Sequence, residues 1–237
     1  YGDHPKQKFS LKVGTVFEDS PIPLGKWLPA VWMIVNCRNG ISSYEIHRAL
    51  GVTQKSAWFM LHRIRLAMQS GSFTKLGGPG SEVEADETFI GGKAKNMHGS
   101  RRAMFREARE SSMTGDAGLV NKTAVMGILD REKRQVRAAI VPKVNSKALR
   151  TAILSQVEHG SKIYSDEAKI YRSVPQYYSH EFVNHLEKYV DGRVHTNGLE
   201  NFWSLLKRQL AGTYIAVEPF HLFRYVDEQV FRYNHRK

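Results

Sequence analysis

The chain is poor in cysteine, acidic charge and long apolar runs. Cys37 is the only cysteine among 237 residues, which excludes an intrachain disulfide and fits a reducing cytosol. The longest apolar stretch, "WLPAVWMIVNC", is too short to cross a bilayer and is followed by Arg38. It reads as a buried helix, and no membrane partner is expected. No signal peptide, internal repeat or low-complexity tract stands out. The chain opens at Tyr1 rather than Met, so it reads as a trimmed piece of a longer protein. Hydrophobic content of 41% with 24% charged residues excludes wholesale disorder.

Acidic residues are outnumbered, 23 Asp and Glu against 35 Lys and Arg. A pI near 9.8 favours polyanionic partners, nucleic acid first. Residues 1–80 hold 10 basic and 4 acidic side chains, so the front is the more cationic part per residue. Against that background "GSEVEADETFIGGK" (80–93) gathers Glu82, Glu84, Asp86 and Glu87 into one short run.

Two patterns flank the Gly-, Ser- and Pro-rich stretch "SGSFTKLGGPGS" (70–81), which reads as a linker. Residues 1–69 read as a small helical region. One helix is expected to stop at Asn39-Gly40, followed by a short helix capped by Ser42 or Ser43. Gly51 makes the turn, and Thr53 caps a longer helix with Ala57, Met60, Leu61, Ile64 and Met68 on one face. That is a helix-turn-helix signature, with Gln54, Lys55 and Trp58 placed to contact DNA. Many such units only pack against other helices.

Over 82–237 the period changes. "EVEADETFI", "TAVMGILD" and "QVRAAIVP" read as a three-stranded meander. A helix follows over roughly 146–158, then strands at "SKIYSD" and "HEFVNH" and two closing helices. The order β-β-β-α-β-(α)-β-α-α is that of an α/β, ribonuclease-H-like mixed five-stranded sheet with flanking helices.

With a period of two, Val83 and Ala85 share one face of the first strand, and Glu82, Glu84 and Asp86 the other. Taken alone, that is a solvated acidic face. Asp166, however, ends the fourth strand, and sheet ends are where sites are built. Glu200 opens the penultimate helix. It reads equally as half of a capping box with Asn197. Three converging carboxylates repel by several kcal/mol per pair and draw in a cation. An all-oxygen set suits Mg²⁺ or Mn²⁺ rather than zinc.

The segments "VEADETFIGGK", "IYSDEAKIY" and "HTNGLENFWSLLKRQLAGTY" resemble, in order, the DDE transposases of bacterial insertion sequences, in the group related to the Merlin transposons. "FSLKVGTVFEDSPIPLGKW" resembles that group's N-terminal region. Spacings of 80 residues from Asp86 to Asp166 and 34 from Asp166 to Glu200 agree with it. The resemblance implies Asp86, Asp166 and Glu200 as a triad binding Mg²⁺, with Mn²⁺ as substitute. It implies cleavage of double-stranded DNA at transposon ends, then attack of the 3′-hydroxyl on target DNA. His195 and Asn197 match its H-x-N-x-x-E stretch as supporting residues. It further implies a nucleoid-associated bacterial cytosolic protein, acting as a homodimer on DNA. Its usual upstream zinc ribbon is not held by a chain with Cys37 alone.

The insertion 91–122 carries seven Lys and Arg against three acids. Lys93, Lys95, Arg101, Arg102, Arg106 and Arg109 are placed to follow a DNA backbone, or to form a solvated loop. Lys207, two turns beyond Glu200, is placed to hold a phosphate, while Trp203 reads as a core residue. The alternatives to an active transposase are a domesticated DNA-binding protein and a nuclease without strand transfer.

Overall fold

The computed structural model describes residues 10–69, 74–92, 99–100, 103, 122–142, 145–166, 178–183, 195–215 and 217–236. Three helices come first: α1 (Leu24–Asn36), α2 (Ser43–Leu50) and α3 (Gln54–Ala67). Trp27, Ala30 and Ile34 on α1 meet Ile46 of α2 and Ala57, Met60 and Ile64 of α3 in a core of their own. α1 is amphipathic rather than buried all round: Leu28 and Trp32 are exposed. It also ends at Asn36, short of the expected Asn39-Gly40 stop. Gly40 serves another purpose. Its φ is +80°, and a Cβ there would lie 2.1 Å from the Tyr214 hydroxyl oxygen.

The short helix is closed by a true capping box, in which Ser42 accepts from the Glu45 amide and Glu45 from the Ser42 amide. Gly51, at φ 57°, makes the left-handed turn. Thr53 accepts from the Ser56 amide at the start of α3.

The five strands are β1 (Glu82–Ile90), β2 (Thr123–Asp130), β3 (Gln135–Val141), β4 (Lys162–Asp166) and β5 (Ser179–Val183). They lie in the order β3-β2-β1-β4-β5. β1 is antiparallel to β2 and parallel to β4; β2–β3 is antiparallel and β4–β5 parallel. This is the mixed sheet of the ribonuclease-H-like fold that the element order predicts. Helix α4 (Ser146–Gln156) covers one face, and α5 (Asn197–Gln209) with α6 (Leu222–Asn234) the other. Strand β2, inside the sheet, is an unbroken apolar run from Ala124 to Leu129 because both its faces are covered. Val125 and Leu129 face Leu199, Phe202 and Val226; Met126 and Ile128 face Leu149 and Ile153. Each such fully buried side chain stabilises the fold by about 1.5–3 kcal/mol.

Of the stretch read as a linker, residues 74–81 are docked rather than free. Leu76 is buried and bridges Val157, and the Gly77 amide donates to Asp130. At the other end, the Asn234 side chain bonds both backbone groups of Val136, fastening α6 to β3. The helix read between the fourth and fifth strands lies outside the described residues. Among the described residues no helix is long and apolar enough to cross a membrane.

Candidate active site

The acidic run divides into two kinds of carboxylate. Arg131, in the turn after β2, sets its guanidinium between Glu82 (3.1 Å) and Glu84 (2.8 Å). It stacks over the Tyr164 ring, whose hydroxyl also donates to Glu82. The remaining Glu84 oxygen accepts from the backbone amide of Leu199 at 2.9 Å. Glu84, 1% exposed, therefore caps α5 from a neighbouring strand, where the partial positive charge of the helix start favours an anion. One guanidinium thus serves both Glu82 and Glu84, and neutral donors hold the rest of each carboxylate.

That capping corrects the reading of the α5 start. The N-cap is Thr196, with no side-chain cap bond, and Asn197 is the first helical residue, exposed to solvent. No capping box forms, so Glu200 has no part in one. It stands exposed in the first turn of α5. His195, half-buried, receives Arg131 at its Nδ1 and carbonyl oxygen, and lies 3.7 Å from Glu84. Its contacts hold the approach to α5.

Asp86 is held by donors of another kind. Its Oδ1 accepts from the Glu87 amide at 2.8 Å, and its Oδ2 from the indole N–H of Trp203 at 2.9 Å. Trp203 lies on α5 one turn beyond Glu200, so the bond attaches Asp86 to the helix that carries Glu200. Opposite Asp86 on β2 is Gly127; a Cβ there would sit 2.7 Å from the Trp203 ring. Glycine makes the seat for the indole.

Asp166 ends β4. The parallel register pairs Glu84 with Tyr164 and Ala85 with Ser165; one further step sets the Asp166 backbone beside Asp86, about 4.8 Å away by ordinary strand spacing. Its side chain lies outside the described residues. Next to it, the buried Ser165 hydroxyl bonds His180 of β5 at 2.7 Å, and burial lowers the His180 pKa. Among the described residues no group of three or more His, Cys, Asp or Glu is placed to hold a metal. Asp86, Asp166 and Glu200 carry oxygen donors only, the kind that suits a hard divalent ion.

Of the residues expected at DNA, Lys207 and Lys55 are exposed. Gln54 is half-buried and bonds Ser43 across the turn. Trp58 is half-buried too, with its ring packed on His62 and on His221, which lies just ahead of α6. Its indole is engaged in joining α3 to α6, a role that spacing alone does not reveal. Lys93, Lys95, Arg101, Arg102, Arg106 and Arg109 lie outside the described residues. Arg131 and the Trp203 bond went unread in the sequence; a lone arginine after a strand carries no pattern.

A family model described as an ISXO2-like transposase domain matches residues 75–234. Over 207 residues the chain is 26% identical to an uncharacterized protein in transposable element ISH50 of Halobacterium salinarum, covering 86% of this chain and 67% of that protein. Among solved structures, a chain of a simian T-cell lymphotropic virus intasome in complex with PP2A regulatory subunit B56 gamma aligns with TM-score 0.37 and 14% identity. The alignment covers 78% of this chain and spans 63% of that one.

Proposed function

The chain belongs to the ISXO2-like transposase domain family, and from that premise we propose that it is a DDE transposase. It cuts double-stranded DNA at transposon ends and joins the 3′-hydroxyl ends to target DNA. The observation that carries this is the parallel register of β1 and β4, which pairs Ala85 with Ser165, the residues just before Asp86 and Asp166. Those three carboxylates would hold Mg²⁺, or Mn²⁺ in its place. When bound, the ions activate the attacking oxygen and stabilise the leaving one at a phosphodiester.

The chain's own residues prepare that chemistry. Lys207, exposed on the same face of α5 as Glu200, offers an ammonium to a phosphate oxygen. Asn197 and His195 line the approach to that helix. Arg131 offsets one of the two negative charges of Glu82 and Glu84, so that the polyanionic substrate meets less fixed negative charge. The helix-turn-helix of α2 and α3 contributes Lys55, with Gln54 behind it, to the duplex. Each phosphate neutralised steepens the salt dependence of binding by about one unit in log–log terms. Two copies bring two ends together, and the work belongs in the cytosol at the nucleoid.

Strand-transfer products are the test. End-bearing DNA incubated with the protein, Mg²⁺ and a target plasmid should yield covalent joints between element ends and target. Cut ends without joints would reassign the protein as a nuclease. Binding without cutting would reassign it as a DNA-binding derivative of a transposase.

A further inference from the structure

Glu84 and Asp86 lie on one strand, two residues apart and on one face, and are bonded by different kinds of donor. Glu84 is met by a guanidinium. Asp86 is met by an indole N–H at 2.9 Å. Tryptophan is a donor only: it neither ionises nor accepts, so it fixes a carboxylate without consuming its charge. Its single hydrogen bond lies on Oδ2, and the Glu87 amide holds Oδ1. These two neutral donors orient one oxygen each.

The indole is placed with care for this. Trp203 is 4% exposed. It is flanked by Phe202 in an edge-to-face contact, with ring centroids 5.0 Å apart. Its outer ring lies where a Cβ at residue 127 would be, and residue 127 is the glycine that the register sets directly across from Asp86. A core tryptophan needs only burial; this one is also aimed by Gly127 so that its one polar atom reaches Asp86.

We propose that Trp203 is a positioning residue, which holds the Asp86 carboxylate in the orientation that ligates the divalent ion. This rests on reading Asp86 as a metal ligand. Partners that orient metal ligands typically carry a 10–100-fold share of metal affinity. Gly127 belongs to the same device. Because Trp203 lies between Glu200 and Lys207 on α5, the bond also ties the helix that carries Glu200 to the strand that carries Asp86.

Binding of Mn²⁺ alone to the full chain, followed by the electron paramagnetic resonance of the free ion, tests the assignment in four proteins. Trp203→Phe, which keeps the ring and removes the donor, should bind Mn²⁺ roughly 10–100-fold more weakly than the wild type. It should bind end DNA equally well without divalent ion. Leu206→Ala, which loosens the same helix but leaves the donor in place, should keep wild-type Mn²⁺ affinity. Asp86→Asn should bind far more weakly still. If Asp86→Asn weakens binding and Trp203→Phe does not, the positioning role is wrong and the metal site stands. If Asp86→Asn binds like the wild type, the metal reading of Asp86 falls and the inference with it. Should Trp203→Phe fail to fold, the wild-type indole ¹H–¹⁵N resonance of Trp203 decides: it should move as Mg²⁺ is added, and a resonance that stays still overturns the proposal.

Discussion

Arg65 of α3 donates from its Nε to Glu228 of α6 at 2.8 Å, with both side chains sealed from solvent. The bond spans 163 residues of sequence and joins the helical front to the last helix of the sheet domain. Arg65 stacks on Tyr214 and Tyr225. Burial alone would lower its pKa, but Glu228 with the two tyrosines outweighs burial and raises it. Glu228 also accepts from Gln209, Tyr214 and Arg232, and Arg232 reaches the carbonyls at the end of α1. The front helices are therefore not tethered loosely; they share a buried polar node with α5 and α6.

Removing one member of that node strands the others. Glu228→Ala should cost about 3–5 kcal/mol, the range for breaking a buried ion pair. Urea unfolding should show a lowered midpoint at unchanged slope. Gly40→Ala should be destabilising through the same node, because its Cβ would displace the Tyr214 hydroxyl that donates to Glu228.

A second buried pair makes a matching prediction with a rescue. Arg131→Met leaves Glu84, 2% exposed, as an anion with its counter-ion gone, again at about 3–5 kcal/mol. Adding Glu84→Gln removes that charge and keeps an oxygen for the Leu199 amide. The double variant should recover most of the loss by urea titration. If it melts as low as Arg131→Met alone, the buried charge is not what Arg131 answers.

Stability should also depend on pH through His62. Its pKa falls from 6.5 to about 4, first through burial, then through Arg65, His221 and Arg224. Trp58 and Tyr225 complete its surroundings. The unfolded chain takes up the proton near pH 6.5 and the folded chain only near 4. The contribution is complete above 6.5 and is lost as pH falls toward 4. His62→Phe should show a flatter fall in stability over that window. Burial of His180 has the same sign and persists in the variant, so some slope should remain.

Much of this fold was legible. Period-two alternation found β1 and put Glu84 and Asp86 on one face, and serine, glycine and threonine marked the starts and turn of α2 and α3. The long-range chemistry was not. Strand periodicity does not tell Glu84 from Asp86, and what separates them in the fold is Arg131, 47 residues from Glu84, and Trp203, 117 residues from Asp86. Asn197 and Glu200 have the spacing of a capping box, yet a tertiary carboxylate took the cap. Trp58 has the spacing of a groove-facing aromatic, and nothing nearby in sequence announces its contact with His221. In each case a partner distant in sequence adds what the local pattern does not show.

The triad of Asp86, Asp166 and Glu200 is tested most directly by cleavage of end-bearing DNA with Mg²⁺ or Mn²⁺, wild type beside Asp166→Asn. The account predicts that the wild type cuts only with the divalent ion, while Asp166→Asn binds the same DNA and does not cut. Equal cutting by both proteins would contradict it, because Asp166 would then hold no part of the chemistry.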